Sequence, residues 1–349
     1  MKINRGIAAA IGAAALFGLS TPLAKLLVGS TTPLLLAGLL YVGSGIGLAA
    51  LLVVRTATGG RRSITWPRGS DVWWLFGAVV TGGVLGPYLL MYGLQATDAA
   101  SASLILNLEG VLTALLAWFV FRENFDRRVA VGMMLIVAGG AVLSIGPAFR
   151  AEGMGGRLAI AGACLAWAID NNMTRRVSVH DAMFIACVKG LVAGTFSVAL
   201  ALSYGAELPP MSAMLQAGVL GFVGYGLSLT LFVVALRGLG TARTGAYFSL
   251  APFIGAALAV VLGAPLTVTL VVAGLLMGAG VWLHLTENHE HPHHHDSVEH
   301  EHPHIHDEHH QHQHGPEWDV REPHSHPHVH EPLEHAHAHY PDAHHRHEH

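Results

Sequence analysis

Glu109 is the residue in this chain best placed to do chemistry. It stands about ten residues into an apolar run from Ala99 to Phe121, with Asn107 two positions before it. An ionisable group in hydrocarbon costs roughly 2.5 kcal/mol or more, so each one asks for a reason. A carboxyl at this depth can take up and release a proton, or meet a cationic part of a solute. The structural alternative is a hydrogen bond to a neighbouring helix. Glu109 is thus the leading transport candidate, and Asn107 accompanies it.

A second polar group is Asp170, Asn171 and Asn172. On a helix, three adjacent residues spread over about 200°, so at least one faces a cavity or another helix rather than lipid. The alternative role is hydrogen bonding between helices. Two lysines also fall inside apolar runs. Lys25 lies near one end of its run, where it can snorkel to the interface or act as a counter-ion. Lys189 is deeper, and a buried acid such as Asp170 is its natural partner. Tyr88, Tyr92, Gln95, Trp118, Trp167 and Tyr247 are further residues that either line a route or pack. Cys164 and Cys187 both sit in apolar runs and read as small packing residues, with no disulfide framework.

Histidine supplies a different chemistry at the far end. From Glu287 to His349 the chain holds 24 of its 26 histidines, 14 acidic residues and two arginines. His-x-His recurs at His291/His293, His302/His304/His306, His324/His326/His328/His330 and His335/His337/His339. In extended backbone, residues i and i+2 point the same way, so neighbouring imidazoles can chelate one ion. Neutral imidazole suits Zn, Ni, Co or Cu, and no metal is required elsewhere. This low-complexity stretch cannot build a core and is expected to be disordered without metal. The metal bound there is either cargo that the tail collects or senses, or a regulator of a membrane part that moves an organic solute. Titration of the histidines near neutral pH makes pH sensing a third reading.

The elements that must position these groups are membrane helices. The chain is 52% hydrophobic and 12% charged, and residues 1–285 carry a net charge of +8 against −12 for the tail. Lipid surrounds the first part and water the second. Ten segments are long and apolar enough to be spans: 6–28, 33–54, 72–95, 99–121, 128–146, 157–176, 182–203, 213–236, 242–263 and 268–285. The N-terminal stretch imitates a secretory signal, but nine further spans make it an uncleaved helix. With the N-terminus in the cytoplasm, the inner segments hold 13 Lys and Arg and the outer ones only Arg150 and Arg157. That asymmetry places both termini on the cytoplasmic side of the inner membrane.

The chain also reads as if written twice. A shift of 142 aligns 94–143 with 236–285 without gaps, pairing Leu108 with Leu250 and Gly132 with Gly274. A shift of 150 pairs Phe17 with Trp167 and Lys25 with Arg175. Each half has five spans, an odd number, so the second half enters the membrane inverted, a recurrent plan of secondary transporters.

The stretch Ala99 to Glu123 (AASASLILNLEGVLTALLAWFVFRE) resembles the signature of EamA-type transporters of the drug/metabolite transporter superfamily. Gly240 to Pro265 (GTARTGAYFSLAPFIGAALAVVLGAP) is similar to the same signature, and LFGLSTPLAKLL and LAWAIDNNMTRR also fit. The resemblance covers residues 6–285. It implies two five-helix repeats, 1–146 and 147–285, around a central cavity, with alternating access and export of a small metabolite. The family often has Glu-Pro where this chain has Glu109-Gly110. The second copy has Ala251-Pro252 and no acid, so the carboxylate is present in one copy only.

The expected fold is therefore all-α and integral to the membrane, ten helices in two inverted repeats, followed by the tail 286–349. The expected function is proton-coupled efflux of a small-molecule solute. A divalent metal (Ni/Co/Zn) efflux protein and a non-transporting membrane sensor are the alternatives. Lipid, solute and divalent metal ions are the expected partners, with a homodimer as an option and no nucleic acid. No nucleotide-binding loop, catalytic carboxylate pair or nucleophile constellation is present, so the chain is not expected to be an enzyme.

Overall fold

The computed structural model describes residues 5–29, 31–58, 67, 69–121, 127–145, 154–178, 180–285, 290–295, 299–304, 324–329 and 333–338. Lys2, Arg61, Arg62, Arg68, Arg122, Glu123 and Arg150 lie outside these residues, as do His306, His330 and His339. The side chains of Trp118 and of the tail histidines are likewise not described.

Among the described residues, the elements of the membrane part are all helices. It begins with α1 (Arg5–Leu27) and α2 (Pro33–Ala57). Then α3 (Ser70–Ala78) passes through one π-helical turn, Val79–Leu85, into α4 (Gly86–Ala96). Next come α5 (Ala99–Ile105), α6 (Leu108–Phe121), α7 (Arg127–Ile145), α8 (Met154–Val177) and α9 (Ala182–Ser203). A second π-helical turn, Gly221–Leu227, joins α10 (Met211–Leu220) to α11 (Ser228–Phe248), before α12 (Ala251–Val261) and α13 (Val268–Leu285). Local sequence sets the ends. Thr32 caps α2 ahead of Pro33, and the Asp98 and Asp181 carboxylates accept from Ser101 N at 2.8 Å and Phe184 N at 3.0 Å.

Among the described residues, six helical stretches are long and apolar enough to cross a membrane: Arg5–Leu27, Pro33–Ala57, Ser70–Ala96, Ala182–Ser203, Met211–Leu239 and Thr244–Val261. Ala99–Thr113, Ala130–Leu143 and Val268–Leu283 are shorter apolar helices. The helix α8 has the length, 24 residues, but its polar run and terminal arginines dilute its hydropathy. One boundary differs from expectation. The break expected between 236 and 242 is absent, because α11 continues to Phe248 and the interruption falls at Ser249-Leu250. A matching interruption at Leu106-Asn107 separates α5 from α6. Large apolar side chains such as Trp73, Phe76, Leu158, Leu215, Val261 and Leu275 face outward, as lipid contact requires.

The packing has an exchange pattern. The helix α1 packs on α11 and α12, while α8 packs on α4 and α6; α2 packs on α9, α7 on α13 and α5 on α12. Glycine makes the α2–α9 contact close: a Cβ at Gly45 would lie 2.5 Å from Leu191 N, and one at Gly190 2.6 Å from Gly45 N. At one end of the bundle, polar groups tie helix ends together. Arg55 pairs with Asp181 at 2.8 Å and His180 Nε2 meets Asp71 Oδ2 at 3.0 Å. The Arg237 guanidinium donates to Ser178 O at 2.9 Å and to His180 O.

In the tail, where disorder is expected without metal, the structure describes four six-residue strands. These are β1 (Glu290–His295), β2 (Glu299–His304), β3 (His324–Val329) and β4 (Leu333–Ala338). Antiparallel β1–β4 and β2–β3 pairs form, consistent with a His-x-His alternation that matches the two-residue period of a strand. Of the run His324/His326/His328/His330, the first three lie in β3, and His328 stands opposite His300, which was not singled out from sequence.

Candidate functional site

The central cavity, about 60 Å³, is walled by α1, α2, α6, α8, α9, α11 and the second π turn. Four of the seven residues singled out from sequence line it: Glu109, Asp170, Asn171 and Lys189. Its remaining polar lining includes Ser44 and Ser228. Aromatic walls come from Phe17, Tyr41, Trp167, Tyr225, Phe232 and Phe248.

Asp170 and Lys189 form an ion pair. Lys189 Nζ donates to Asp170 Oδ1 at 2.6 Å and to Oδ2 at 2.7 Å, and Thr174 Oγ1 donates to Oδ1 at 2.8 Å. Lys189 is 1% exposed and Asp170 5%. Thr174, one turn after Asp170, completes the carboxylate's coordination from the same helix. Glu109 lies at the first turn of α6, just past the interruption that separates it from α5. Asn171 Nδ2 donates to its Oε1 at 2.8 Å and approaches Thr113 Oγ1 at 3.4 Å. Among the described residues, no lysine or arginine pairs with Glu109. The site thus holds one carboxylate matched by a cation and one matched only by an amide.

The α3–α4 π turn supplies a third feature. Its Gly82 carbonyl accepts from Tyr41 Oη at 2.7 Å and Trp167 Nε1 at 3.1 Å. In a π turn that carbonyl would receive the N–H of residue 87, but residue 87 is proline and has none. Pro87 therefore leaves an acceptor free inside the bundle, and two side chains from α2 and α8 take it. Gly82 must also be glycine for space, since a Cβ there would fall 1.8 Å from Asp170 Oδ2.

The other three candidates are elsewhere. Asn107 belongs to the α5–α6 interruption, where its Nδ2 donates to Leu104 O at 3.2 Å. Asn172 faces away from the cavity and bonds Ala168 O at 2.8 Å and Thr113 O at 3.4 Å. Lys25 donates to Leu94 O near the end of α4, holding the α1 and α4 ends together instead of reaching the site. Of the aromatic candidates, Trp167 lines the cavity, while Tyr88 and Tyr92 pair with each other at 6.3 Å. Sequence reading missed Phe17 as a lining residue, although it had paired Phe17 with Trp167 in the repeat; their rings meet edge-on at 5.6 Å. Tyr41, Tyr225, Phe232 and Phe248 carried no signal, because an aromatic in an apolar span looks the same facing lipid or cavity. Cys164 and Cys187 are buried and free. Among the described residues, no group of three or more His, Cys, Asp or Glu could hold a metal ion.

The EamA-like transporter family model matches residues 4–145 and again 154–286. An "Uncharacterized transporter" of Methanothermobacter thermautotrophicus is 28% identical over 293 residues, covering 80% of this chain and 85% of the relative. A probable 4-amino-4-deoxy-L-arabinose-phosphoundecaprenol flippase subunit ArnE of Pseudomonas paraeruginosa is 39% identical over 116 residues, 32% of this chain and 93% of its own. A crystal structure at 23% identity shares the fold with a TM-score of 0.62, over 81% of this chain and 99% of the other. With these matches spanning both halves, the chain is a multi-pass membrane protein that belongs to the EamA-like transporter family.

Proposed function

We propose that this chain is a secondary transporter that exports a small solute across the inner membrane in exchange for protons, with a metal-responsive cytoplasmic tail. The observation that carries the reading is the pairing pattern in the cavity. Asp170 has Lys189, whereas Glu109, among the described residues, bonds the neutral Asn171 amide and no cation. A carboxylate without a cation in a low-dielectric site is held by taking a proton or by meeting a positively charged solute, and alternation between the two is exchange.

The two halves act as inverted five-helix repeats in alternating access. The packing supports this: swapping α1 with α8, α2 with α9, α4 with α11, α6 with α12 and α7 with α13 turns α1–α11 into α8–α4 and α1–α12 into α8–α6, and returns α2–α9 and α7–α13 to themselves. So does the spacing of the π turns, which begin at Val79 and Gly221, 142 residues apart. Charge asymmetry sets both termini in the cytoplasm, and the joined end that holds Arg55, Asp181, His180 and Arg237 is then the inner end. The Arg55–Asp181 ion pair and the His180–Asp71 contact bridge the halves and keep that side closed.

The test uses proteoliposomes loaded with a pH-sensitive dye and challenged with a solute panel. Wild-type protein should move protons with a solute, and Glu109→Gln should abolish this while eluting as a folded species. Retained pH-gradient-driven flux in Glu109→Gln would remove Glu109 from the mechanism.

Metal efflux is favoured as a second reading by the tail register. It sets His291 opposite His337 and His293 opposite His335 in one pair of strands. In the other it sets His300 opposite His328, His302 opposite His326 and His304 opposite His324. Cells with the full protein, with a truncation after Leu285, and without the gene separate the readings. Metal accumulation only in cells without the gene favours metal export, whereas unchanged metal content favours the organic solute.

A further inference from the structure

The cavity has a net charge and a wall chemistry that together select a ligand class, and this selection rests on the transport reading above. The Asp170–Lys189 pair is internally neutral. Ionised Glu109 therefore leaves the cavity with one uncompensated negative charge. Around it the rings form a continuous wall. Phe17 meets Trp167 at 5.6 Å, Tyr225 at 5.8 Å and Phe248 at 5.5 Å; Tyr41 meets Tyr225 at 5.6 Å; Phe232 meets Phe248 at 4.9 Å. Aromatic faces attract a desolvated cation through the ring quadrupole and reject an anion for the same reason.

We infer that the transported solute is a compact organic cation, an ammonium group that sits against Glu109 with its alkyl substituents on the Phe17, Trp167, Tyr225 and Phe248 rings. An anion would meet Glu109 as a like charge and the ring faces as repulsive surfaces. A neutral solute would fill the volume but leave the carboxylate without a cation. The cavity's about 60 Å³ is room for a few water molecules, so the cation must be small and its admission requires the halves to part.

Charge is isolated by a matched set: choline, its neutral isostere 3,3-dimethylbutan-1-ol, and 3,3-dimethylbutanoate. Each is titrated into the purified full-length protein in detergent and followed by calorimetry and thermal shift. Choline is expected to bind saturably and about tenfold or more tighter than the alcohol, with the carboxylate weakest. Glu109→Gln should bring choline and the alcohol level. Phe17→Leu, which stays apolar but removes the ring, should lower the choline-to-alcohol ratio several-fold and covers the case in which Glu109→Gln does not fold. Binding of the alcohol or the carboxylate as tightly as choline overturns the cation assignment and leaves a solute site standing. Failure of all three to bind overturns the assignment and the solute-site reading together, and a choline advantage that survives Glu109→Gln overturns the role given to that carboxylate.

Discussion

Lys189→Met tests whether the buried ion pair holds α8 and α9 in register at the site. Lys189 is 1% exposed and meets both oxygens of Asp170, at 2.6 and 2.7 Å. Removing it leaves Asp170 with the Thr174 hydroxyl alone and an uncompensated charge in a dry cavity. Breaking a buried pair from one side costs about 3–5 kcal/mol, most of it from the orphaned charge. The same loss is expected for Asp170→Asn, which strands the ammonium. The double variant Asp170→Asn/Lys189→Met removes both charges and should recover most of the loss, giving a coupling energy of about 3 kcal/mol in the cycle. Thermal unfolding of the purified protein in detergent reads this as a shift on the order of 10 °C for each single variant. Transport need not return with stability in the double variant, because the cavity would then hold Glu109 without the neighbouring pair. Single variants within about 1 kcal/mol of wild type, or a double variant that sums the two losses, would refute the argument.

Two further substitutions address the π turn between α3 and α4. Gly82→Ala puts a methyl 1.8 Å from Asp170 Oδ2 and should abolish folding or transport, whereas Gly155→Ala, with nothing within 4 Å, should be neutral to stabilising; paired expression and unfolding curves compare them. Tyr41→Phe and Trp167→Phe each remove one of two donors to Gly82 O and should each lower stability by about 1 kcal/mol, since the other donor remains. Together they leave a buried carbonyl unpaired, so the double variant should lose more than the sum, and simple additivity in a thermal-melt cycle would count against the shared acceptor.

Sequence made the membrane helices legible because hydrocarbon demands long apolar runs, and a run survives errors of several residues at its ends. It also made Glu109, Asp170 and Lys189 legible, because charge in such a run is rare enough to need a cause. Facing direction was not legible. Asn171 and Asn172 are adjacent and chemically identical, yet one serves Glu109 and the other a backbone carbonyl of its own helix. That choice is made by the rotation of α8, which its packing on α4 and α6 sets. Lys25 misled for a related reason: its reach to Leu94 O depends on the end of α4 lying beside α1, a contact between residues 69 apart in sequence. The interruption at Ser249-Leu250, inside the span 242–263, carried no sequence signal because neither residue is a strong helix breaker. Its counterpart at Leu106-Asn107 has an asparagine, whose side chain competes for Leu104 O.

Pro87 links the sequence to the α3–α4 π turn beside the site. A proline in the middle of a helix removes a donor and clashes with the carbonyl four residues back. Here the chain widens into a π turn, and the Gly82 carbonyl freed by it becomes the anchor for Tyr41 and Trp167. Those two side chains come from opposite halves of the chain, so the same atom ties α2 to α8 beside the cavity. Pro87→Ala returns an N–H that can compete for Gly82 O and let α3–α4 tighten toward regular α-helix. Regularisation should raise the melting temperature, since a mid-helix proline costs about 3 kcal/mol when nothing offsets it. It should lower turnover, because the anchor that aligns Tyr41 and Trp167 is then contested. A melt and a flux measurement on one preparation read both quantities. A variant as stable as wild type with unchanged flux would mean that the π turn arises from its glycines, Gly82 and Gly83, and that the proline plays no part in freeing the carbonyl.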